Sequence, residues 1–481
     1  MRPTAVQRLI GQLLLLFAVT LLVPAAIALV TGDGEAPHFL QSFLLTAAGG
    51  LALWLPVRRA TAELTARDGF LVVSLFWVVL GLCAALPFML GPHLRLVDAV
   101  FEAVSGFTTT GATVMSGLDA LPPSVLLYRA MLQWLGGMGV VVLAVAVMPM
   151  LGVGGMQLYR AEIPGPMKEE KLTPRLLQTA RALWLIYVGL TASCALGYRL
   201  AGMEGFDAIA HALTTVSTGG FSTHDASFGH FRSLGLELVA VLFMILGAVN
   251  FSVHFTALRR LSLRPYLTDP EVRTFLVALA LGAVVLAVML ARTGTYPEPG
   301  SALRHALFQV VSVMTSTGFT TADFSLWPLF APVFLIYLGL VGGCAGSTAG
   351  GMKVVRVLLL ARQAWRELTR LPHPRSVQAV RIGRRVVNDR TAATVWSFFS
   401  VYVASYVALM VLFMATGMDQ VTAFSAVAAC LNNLGPGLGE VSASFQHVND
   451  MAKVVAIAAM LLGRLEVFTL LVLFSPAFWR R

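Results

Sequence analysis

The sequence predicts an all-α, polytopic membrane protein in which an N-terminal pair of helices precedes four tandem helix–loop–helix repeats. Of its 481 residues, 57% are hydrophobic and only 12% are charged, whereas soluble domains carry about 25% charged residues. Apolar runs long enough to cross roughly 30 Å of hydrocarbon, about 20 residues each, recur along the whole chain. A short polar turn that contains glycine also recurs four times at nearly regular intervals.

The apolar runs predict ten membrane spans. They cover residues 9–30, 39–56, 70–90, 124–150, 180–201, 233–256, 274–291, 328–358, 391–415 and 455–476. Lys and Arg concentrate in alternate loops, of which Arg356–Arg390 is the longest, and the positive-inside rule makes these the cytoplasmic loops. Both termini are therefore expected in the cytoplasm. The net charge of +10 follows from this topology, so we do not interpret it as nucleic-acid binding.

The chain divides into five predicted units. Residues 1–66 form the N-terminal transmembrane helix pair, and the four pore repeats cover 69–160, 175–265, 271–362 and 388–481. Each repeat contains a half-helix too short to cross the bilayer, at 97–108, 206–216, 302–315 and 419–431. Three half-helices begin near Asp98, Asp207 or Asp419, which we interpret as N-caps. The third has Arg304 and His305 near its start instead.

A polar turn follows each half-helix. The four turns read TTTGAT (108–113), STGGFS (217–222), STGFTT (316–321) and NNLGPG (432–437), and the aligned glycines are Gly111, Gly219, Gly318 and Gly435. Irregular backbone at membrane depth is tolerated only where it is buried in protein or lines a water-filled path. The turns therefore predict four pore loops in pseudo-fourfold symmetry around a central pore. The alternative is four re-entrant turns that bind no ion.

Backbone carbonyl oxygens of these turns are the candidate cation ligands, since oxygen ligands suit hard cations. A half-helix that descends from outside points its C-terminal end, with its partial negative charge, at the bilayer centre, which favours a cation over an anion. The residues alone do not separate K⁺ from Na⁺. The candidate filter comprises Thr109, Thr110, Gly111, Ser217, Thr218, Gly219, Ser316, Thr317, Gly318, Asn433, Leu434 and Gly435.

The predicted span 328–358 is interrupted by five glycines within ten residues. Each glycine costs a helix interior about 1 kcal/mol relative to alanine, so the segment should unwind into a loop, although glycines also permit close helix packing. The segment 342–351 consists of Gly342, Gly343, Cys344, Ala345, Gly346, Ser347, Thr348, Ala349, Gly350 and Gly351. Lys353 follows it and either assists the loop or marks the inner membrane interface. Arg464 lies inside the last span, where an intramembrane charge is by default a functional hypothesis. The alternative for Arg464 is a structural ion pair, for which Glu466, two residues away, is a poor partner on the same helix.

The ordered set of motifs resembles the Trk/Ktr/HKT superfamily of cation transporters, and most closely its TrkH-type subunits. The motifs are the four turns together with QWLGGMG (133–139), GGCAGSTAGGMKV (342–354), LNNLGPGLG (431–439) and GRLEVFTLLVLFSPAFWR (463–480). The resemblance covers nearly the whole chain. It implies a K⁺ translocation subunit of the bacterial inner membrane, in which the turns form a filter that binds and passes K⁺. Gly111 matches the K⁺-preferring version, and the departure Asn433-Leu434 is shared by TrkH-like proteins.

The resemblance also implies how the pore is controlled. The segment 342–351 becomes an intramembrane gating loop below the filter, with Arg464 as an electrostatic barrier beside it and Lys353 at its end. A homodimer and a TrkA-type cytoplasmic ring that binds nucleotides are the implied partners. The chain itself has no Walker A or Rossmann motif, so no nucleotide is expected on it.

Three other classes of function are open to such a chain, and one of them, a purely structural or receptor protein, does not explain four polar turns. A proton- or sodium-coupled secondary transporter shares most of this architecture but needs a relay of titratable groups across the membrane, and few carboxylates fall within the spans. An intramembrane enzyme would need clustered catalytic residues, and HExxH is absent. Other polar residues have weaker claims. Glu102 either tunes the outer vestibule or anchors the first half-helix, and we favour the anchor. Gln133 and Trp134 are expected to pack against a half-helix, and Asn250, Ser252 and His254 to form helix-to-helix hydrogen bonds.

Overall fold

The computed structural model describes residues 3–59, 65–142, 172–328, 330–373, 378–383 and 385–480, and it confirms the predicted all-α class. Within those residues the strands β1 (Arg381–Ile382) and β2 (Arg385–Val386) form a short antiparallel ladder on the basic segment 356–390. The end of the predicted span 124–150, from residue 143 onward, lies outside the described residues. So do Arg160, Lys168 and Lys171 of the following basic loop.

The N-terminal helices are α1 (Pro3–Thr20), α2 (Leu22–Thr31) and α3 (Ala36–Trp54). Helices α1 and α2 together form one candidate span of 29 residues. Glycines allow α1 and α3 to approach closely, because a methyl group on Gly11 would lie 2.8 Å from the backbone nitrogen of Trp54. Small residues at such crossings are typical of helices that pack within a membrane.

The remaining helices follow α3 along the chain. The bounds are α4 (Ala66–Cys83), α5 (Leu86–Leu90), α6 (Leu96–Phe107), α7 (Pro123–Val142), α8 (Leu172–Leu200), α9 (Gly205–Val216), α10 (Leu234–Ala248), α11 (Phe251–Arg260), α12 (Arg264–Thr268), α13 (Pro270–Arg292), α14 (Pro299–Met314), α15 (Ala331–Val341), α16 (Val354–Arg370), α17 (Asp389–Ala415), α18 (Gln420–Leu431), α19 (Asp450–Arg464), α20 (Phe468–Leu471) and α21 (Pro476–Trp479). The predicted half-helices correspond to α6, α9, α14 and α18.

Among the described residues, six helices are long and apolar enough to cross a membrane, or up to eight if two bent pairs count as spans. Two predictions of unbroken spans were wrong. The span 233–256 is broken between α10 and α11, which meet at 100°. The span 455–476 is broken between α19 and α20, which meet at 104°, because Glu466 and Val467 take left-handed angles with φ of 53° and 55°.

The acidic starts of the half-helices differ from the prediction of three N-caps. Asp419 does cap α18, accepting hydrogen bonds from the Val421 and Thr422 amides, and the hydrogen bond from the Thr422 side chain lowers the pKa of its carboxyl group. Asp98 and Asp207 lie in the first turns of α6 and α9, so their prediction as caps was wrong. They bind side chains instead, as Asp98 does with Lys453 at 2.6 Å.

Candidate functional site

The helices α6, α9, α14 and α18 all end in the same hydrogen-bonded turn. The second residue after each helix is left-handed, with φ between 51° and 54°, and its amide bonds the carbonyl three residues back. The next amide reaches five residues back at 2.8 Å in every case. This pair of bonds is the Schellman motif. The left-handed residues are Thr109, Thr218, Ser316 and Asn433.

These left-handed residues are not glycines, and each is buried. A left-handed conformation costs an ordinary residue about 1–2 kcal/mol. Backbone strain of this kind persists where the surrounding structure imposes it, and it clusters at functional sites. The same strained conformation occurs at all four helix ends, which the spacing of the motifs in the sequence does not indicate.

The second turn has a different register from the one predicted. The glycine two residues after the left-handed position has φ of 83° at Gly111, 84° at Gly318 and 96° at Gly435, and the equivalent residue is Gly220, with φ of 81°. Gly219 was therefore the wrong match for these glycines, since it occupies the place of Thr110. Ser217 is likewise the C-cap of α9, with φ of −76°, and matches Thr108.

With that correction the four turns form a closed ring. A methyl group on Gly111 would lie 2.2 Å from the Gly219 carbonyl oxygen, and one on Gly220 would lie 1.8 Å from that of Thr317. A methyl group on Gly318 would lie 2.3 Å from the Leu434 carbonyl oxygen, and one on Gly435 would lie 2.9 Å from that of Thr110, which closes the ring. Each glycine thus admits the backbone oxygen of the next turn, which explains why no larger residue fits there.

A buried ion pair braces the first turn. Glu102 on α6 binds Arg129 on α7 at 2.8 Å, and both side chains are almost fully buried. The same carboxylate accepts the Val114 amide at 2.9 Å and the Thr113 hydroxyl, while Arg129 donates to the Ser222 carbonyl at 3.1 Å. Glu102 therefore anchors the half-helix, as expected. Arg129 was missed, although a charge inside a predicted span is itself a signal.

Gln133 braces the second turn rather than only packing against a half-helix. Its amide nitrogen donates to the Gly219 carbonyl at 2.7 Å, and its oxygen accepts the Phe221 amide at 3.0 Å. The Gln133 side chain thus bonds the two residues on either side of Gly220. Gly219 and Gly220 are consecutive glycines, which leave the backbone most flexible at this point. Trp134, in contrast, stacks on Tyr187 of α8 with ring centroids 5.5 Å apart.

Hydroxyl and amide groups hold the other two turns. Ser312 donates to the Phe319 carbonyl at 2.7 Å in the third turn. Ser425 accepts the Leu438 amide at 2.8 Å in the fourth. Asn433 then joins the fourth turn to the first, because its side-chain amide lies 2.9 Å from the Thr110 hydroxyl. The ring is therefore fixed by contacts within and between turns.

A cavity of about 690 Å³ opens on one side of the ring. Its lining includes Gly111, Gly220, Gly318 and Gly435 together with polar residues of the loops that follow the turns. The four half-helices direct their C-terminal ends, which carry partial negative charge, at the same ring. The arrangement can attract a cation from the cavity and offer it backbone oxygens.

The glycine-rich segment between α15 and α16 lies against the ring, on the side of the helix ends. A methyl group on Gly350 would lie 1.9 Å from the Asn432 carbonyl oxygen, and the Gly350 amide lies 2.5 Å from the Ser316 hydroxyl. The Thr348 hydroxyl lies 3.1 Å from that of Thr218 and 2.9 Å from the Gly247 carbonyl. Residues 342–350 are buried. The segment therefore contacts the second, third and fourth turns at once.

The break between α10 and α11 is explained by this segment. In an unbroken helix the Phe251 amide would bond the Gly247 carbonyl, but it bonds the Gly346 carbonyl at 3.0 Å. The Cys344 amide in turn bonds the freed Ala248 carbonyl at 2.9 Å. Asn250 caps α11, because its side-chain oxygen accepts the Ser252 amide at 2.8 Å. His254 spans the same break, bonding the Leu246 carbonyl at 2.9 Å.

Arg464 ends α19 and links this segment to the first repeat. Its guanidinium donates to the Thr348 carbonyl at 3.2 Å and to the Gly136 carbonyl at 3.3 Å. Within the described part of the chain it forms no salt bridge, since Glu466 binds Arg356 instead. The other described contact of Arg464 is the face of the Trp77 ring, 5.5 Å from the guanidinium carbon. Because these partners are carbonyl oxygens and an aromatic ring, no carboxylate among them neutralises the positive charge beside the ring of turns.

Lys353 completes the lower side of the site. It is left-handed, with φ of 77°, and its buried ammonium donates to the Ala349 carbonyl. Lys353 and Arg464 line a second cavity of only about 30 Å³, together with Gly350 and Asn433. That volume holds about one water molecule, so the path on this side of the ring is constricted.

We expect Arg129→Met to destabilise the protein strongly, because Glu102 would remain buried without its partner. Breaking such a pair costs about 3–5 kcal/mol, which would lower the thermal midpoint of the purified protein in detergent. Arg95→Met is the matched control, since the pair of Arg95 with Asp450 is exposed and exposed pairs contribute about 1 kcal/mol or less. Equal midpoints for the two variants would contradict the bracing role.

The chain resembles proteins of one family both in sequence and in structure. Residues 35–481 match the family model described as "TrkH: Cation transport protein". The chain is 52% identical over 484 residues to the "Trk system potassium uptake protein TrkH" of Vibrio parahaemolyticus, covering 100% of both chains. It is 50% identical over 478 residues to the protein of the same name from Escherichia coli K12, covering 99% of each. The crystal structure of the "Potassium Transporter TrkH" from V. parahaemolyticus matches with a TM-score of 0.93 at 48% identity, covering 100% of both chains.

Proposed function

This chain belongs to the TrkH family of cation transport proteins, which makes it a transporter rather than an enzyme, and we propose that it passes K⁺ across the bacterial inner membrane through the ring of four turns. The single observation that carries the proposal is the closed ring, in which each turn glycine admits a backbone oxygen of the next turn. Rings of backbone carbonyls replace the hydration shell of a cation in selective pores.

The proposed filter uses the corrected register. Its oxygens come from the left-handed residue of each turn and the residue after it, namely Thr109, Thr110, Thr218, Gly219, Ser316, Thr317, Asn433 and Leu434. The Schellman bonds occupy the amides of these residues, which leaves their carbonyl oxygens as the polar groups available to an ion. The choice of K⁺ is supported by the relatives, which are named potassium uptake proteins.

We propose that residues 342–351 are the gate of this pore. The segment contacts three turns, and the cavity beside it holds little more than one water molecule. Arg464 adds a positive charge that repels a cation and a hydrogen bond that holds Thr348 in place. A hydrated K⁺ ion therefore cannot pass until the segment moves.

The proposed organisation is the helix pair 1–66 followed by pore repeats at 69–160, 175–265, 271–362 and 388–481. The ring supports it, because successive segments supply successive members. With both termini in the cytoplasm, as the positive-inside rule predicts, the 690 Å³ cavity faces outside.

The homodimer and the TrkA-type nucleotide-binding ring stay predictions from the family. The basic segment 356–390, in which Arg366 binds Asp389, suits an acidic partner surface.

Uptake of radioactive Rb⁺ into liposomes that contain the purified chain tests this function. With no pH or Na⁺ gradient, we expect uptake that K⁺ suppresses much more strongly than Na⁺ does. Equal suppression by both ions would contradict a K⁺ filter. Uptake that needs an imposed proton or Na⁺ gradient would instead favour the coupled transporter. If the parent protein shows no uptake because its pore is closed without a partner, the Arg464→Ala variant should show uptake in the same assay.

A further inference from the structure

Three metal-binding side chains meet above the ring, in the loops that follow the first and second turns. They are Asp119, His224 and His230, and one ligand atom of each lies within 4.8 Å of the others. His224 Nδ1 lies 2.5 Å from the Asp119 carboxylate. The imidazole of His230 stacks on that of His224 with centroids 3.6 Å apart and ring planes 3° from parallel. Chemistry-bearing residues from two separate repeats thus converge at one point.

The surrounding backbone holds this cluster in place. The Leu118 amide donates to the Asp225 carboxylate at 2.9 Å, which fastens the two loops together next to Asp119 and His224. His224 Nε2 lies 3.2 Å from Asp207, whose other oxygen accepts the Thr223 hydroxyl at 2.7 Å. A carboxylate behind a histidine fixes the tautomer and ring orientation of a metal ligand. His224 is therefore oriented before any metal arrives.

We infer that Asp119, His224 and His230 form a site for a transition-metal cation of the Zn²⁺ class at the mouth of the outer cavity. Two imidazoles and one carboxylate suit Zn²⁺, Cu²⁺ or Ni²⁺, whereas Mg²⁺ and Ca²⁺ prefer oxygen ligands only. The site is distinct from the ring of turns, because its ligands are side chains and lie on the loops beyond it.

Metal binding requires two small changes. The proton between His224 and Asp119 is released to solvent, and the two side chains move apart from their 2.5 Å contact so that the metal forms bonds of about 2.0–2.2 Å to nitrogen and oxygen. The ring of His230 turns from its stacked position so that one nitrogen faces the metal. His230 is exposed, so this rotation meets little resistance. Water completes the coordination shell.

The site also has a functional consequence, which rests on the proposed function. His224 and Asp225 line the outer cavity together with Gly220 of the ring. A divalent cation that replaces the proton adds one net positive charge at this entrance and repels incoming K⁺, which lowers the local K⁺ concentration. External Zn²⁺ is therefore an inhibitor of uptake, and Mg²⁺ at the same concentration is not.

Binding is tested with Zn²⁺ and detergent-purified full-length protein by isothermal titration calorimetry. The expected result is one site per chain, weakened at least about tenfold in His230→Ala, as for loss of a supporting group at a metal site. His447→Ala removes another exposed histidine from an outer loop and should leave this binding unchanged. Absence of a Zn²⁺ site, or equal weakening in both variants, overturns the inference.

Inhibition is tested on Rb⁺ uptake into liposomes with Zn²⁺ added outside. Half-inhibition should need at least about tenfold more Zn²⁺ in His230→Ala than in the parent, with uptake in the absence of Zn²⁺ unchanged. Calorimetric binding that is lost in His230→Ala without any change in inhibition overturns the effect on the cavity. Calorimetry measures Zn²⁺ binding without any transport, so it tests the metal site even if the proposed K⁺ pore is wrong.

Discussion

Arg464→Ala is expected to raise Rb⁺ flux through the purified protein by about tenfold to a thousandfold. A unit charge changes the energy of a cation by about 1.4 kcal/mol at 12 Å and 4 kcal/mol at 4 Å with an effective dielectric constant of about 20. Each 1.4 kcal/mol is a factor of ten. The measurement is the initial rate of Rb⁺ uptake into liposomes without a partner protein. Selectivity for K⁺ over Na⁺ should persist, because the ring is unchanged.

Arg464 acts in two ways that two further variants separate. Arg464→Lys keeps a positive charge but loses the planar fork that reaches the Thr348 and Gly136 carbonyls. Thr348→Val keeps Arg464 and removes the hydroxyl that lies near Thr218 and Gly247. If charge is the main barrier, Arg464→Lys stays closed. If the hydrogen bonds of Arg464 hold the segment, Arg464→Lys leaks. Thr348→Val keeps the carbonyl that Arg464 binds, so a leak in that variant shows that the hydroxyl contacts also hold the segment.

A matched control guards against general damage to the membrane helices. Arg199→Ala removes an exposed arginine at the end of α8, whose side chain donates a long hydrogen bond of 3.4 Å to the Met203 carbonyl. Its flux should equal that of the parent protein. Unchanged flux in a well-folded Arg464→Ala protein would remove Arg464 from the gate.

Much of the fold was predictable because it follows from composition and spacing. The half-helices were placed within three residues at every end that the structure defines, since a short apolar stretch before a polar glycine turn has few alternatives. Asp419 was predictable as a cap for the same local reason. These features depend on neighbours in sequence.

The features that were missed depend on contacts between distant segments. The break at Val249 and Asn250 exists because Cys344 and Gly346 exchange backbone hydrogen bonds with α10 and α11. The pair of Glu102 and Arg129 joins two helices, so neither residue alone indicates its partner. Hydropathy along one segment carries no information about such exchanges.

The register of the second turn was missed for a different reason. STGGFS contains two consecutive glycines, and matching STG to STGFT selects the first of them. Only the backbone angles show that the helix α9 ends one residue later relative to the motif, which assigns the left-handed glycine to Gly220. The two registers make opposite predictions for Gly219 and Gly220.

Gly220→Ala is expected to abolish K⁺-selective uptake. Gly219→Ala should also reduce this uptake, but a second substitution that makes room for the added methyl group should restore part of it. A methyl group on Gly220 would lie 1.8 Å from the Thr317 carbonyl oxygen, a backbone atom of the proposed filter, at a φ of 81° that disfavours alanine. On Gly219 the methyl group would meet the side chain of Gln133 at 2.4 Å. The equivalent positions hold Thr110, Thr317 and Leu434, so a side chain is compatible with the backbone there.

The decisive comparison therefore adds Gln133→Ala to each variant and measures Rb⁺ uptake with K⁺ and Na⁺ competition. Truncating Gln133 removes the two atoms that lie 2.4 Å from the added methyl group and leaves Cβ at 2.9 Å. It also removes the brace on the second turn, so the double variant should recover part of the selective uptake that Gly219→Ala alone loses. The same truncation leaves Thr317 in place and should not rescue Gly220→Ala, whose preference for K⁺ we expect to fall at least about tenfold, or 1.4 kcal/mol. Selective uptake by Gly220→Ala, in protein with a parental thermal midpoint, would mean that its carbonyl neighbours do not form the filter. Equal loss of selectivity in the two double variants, with Gln133→Ala alone still selective, would restore the register read from the motif alone.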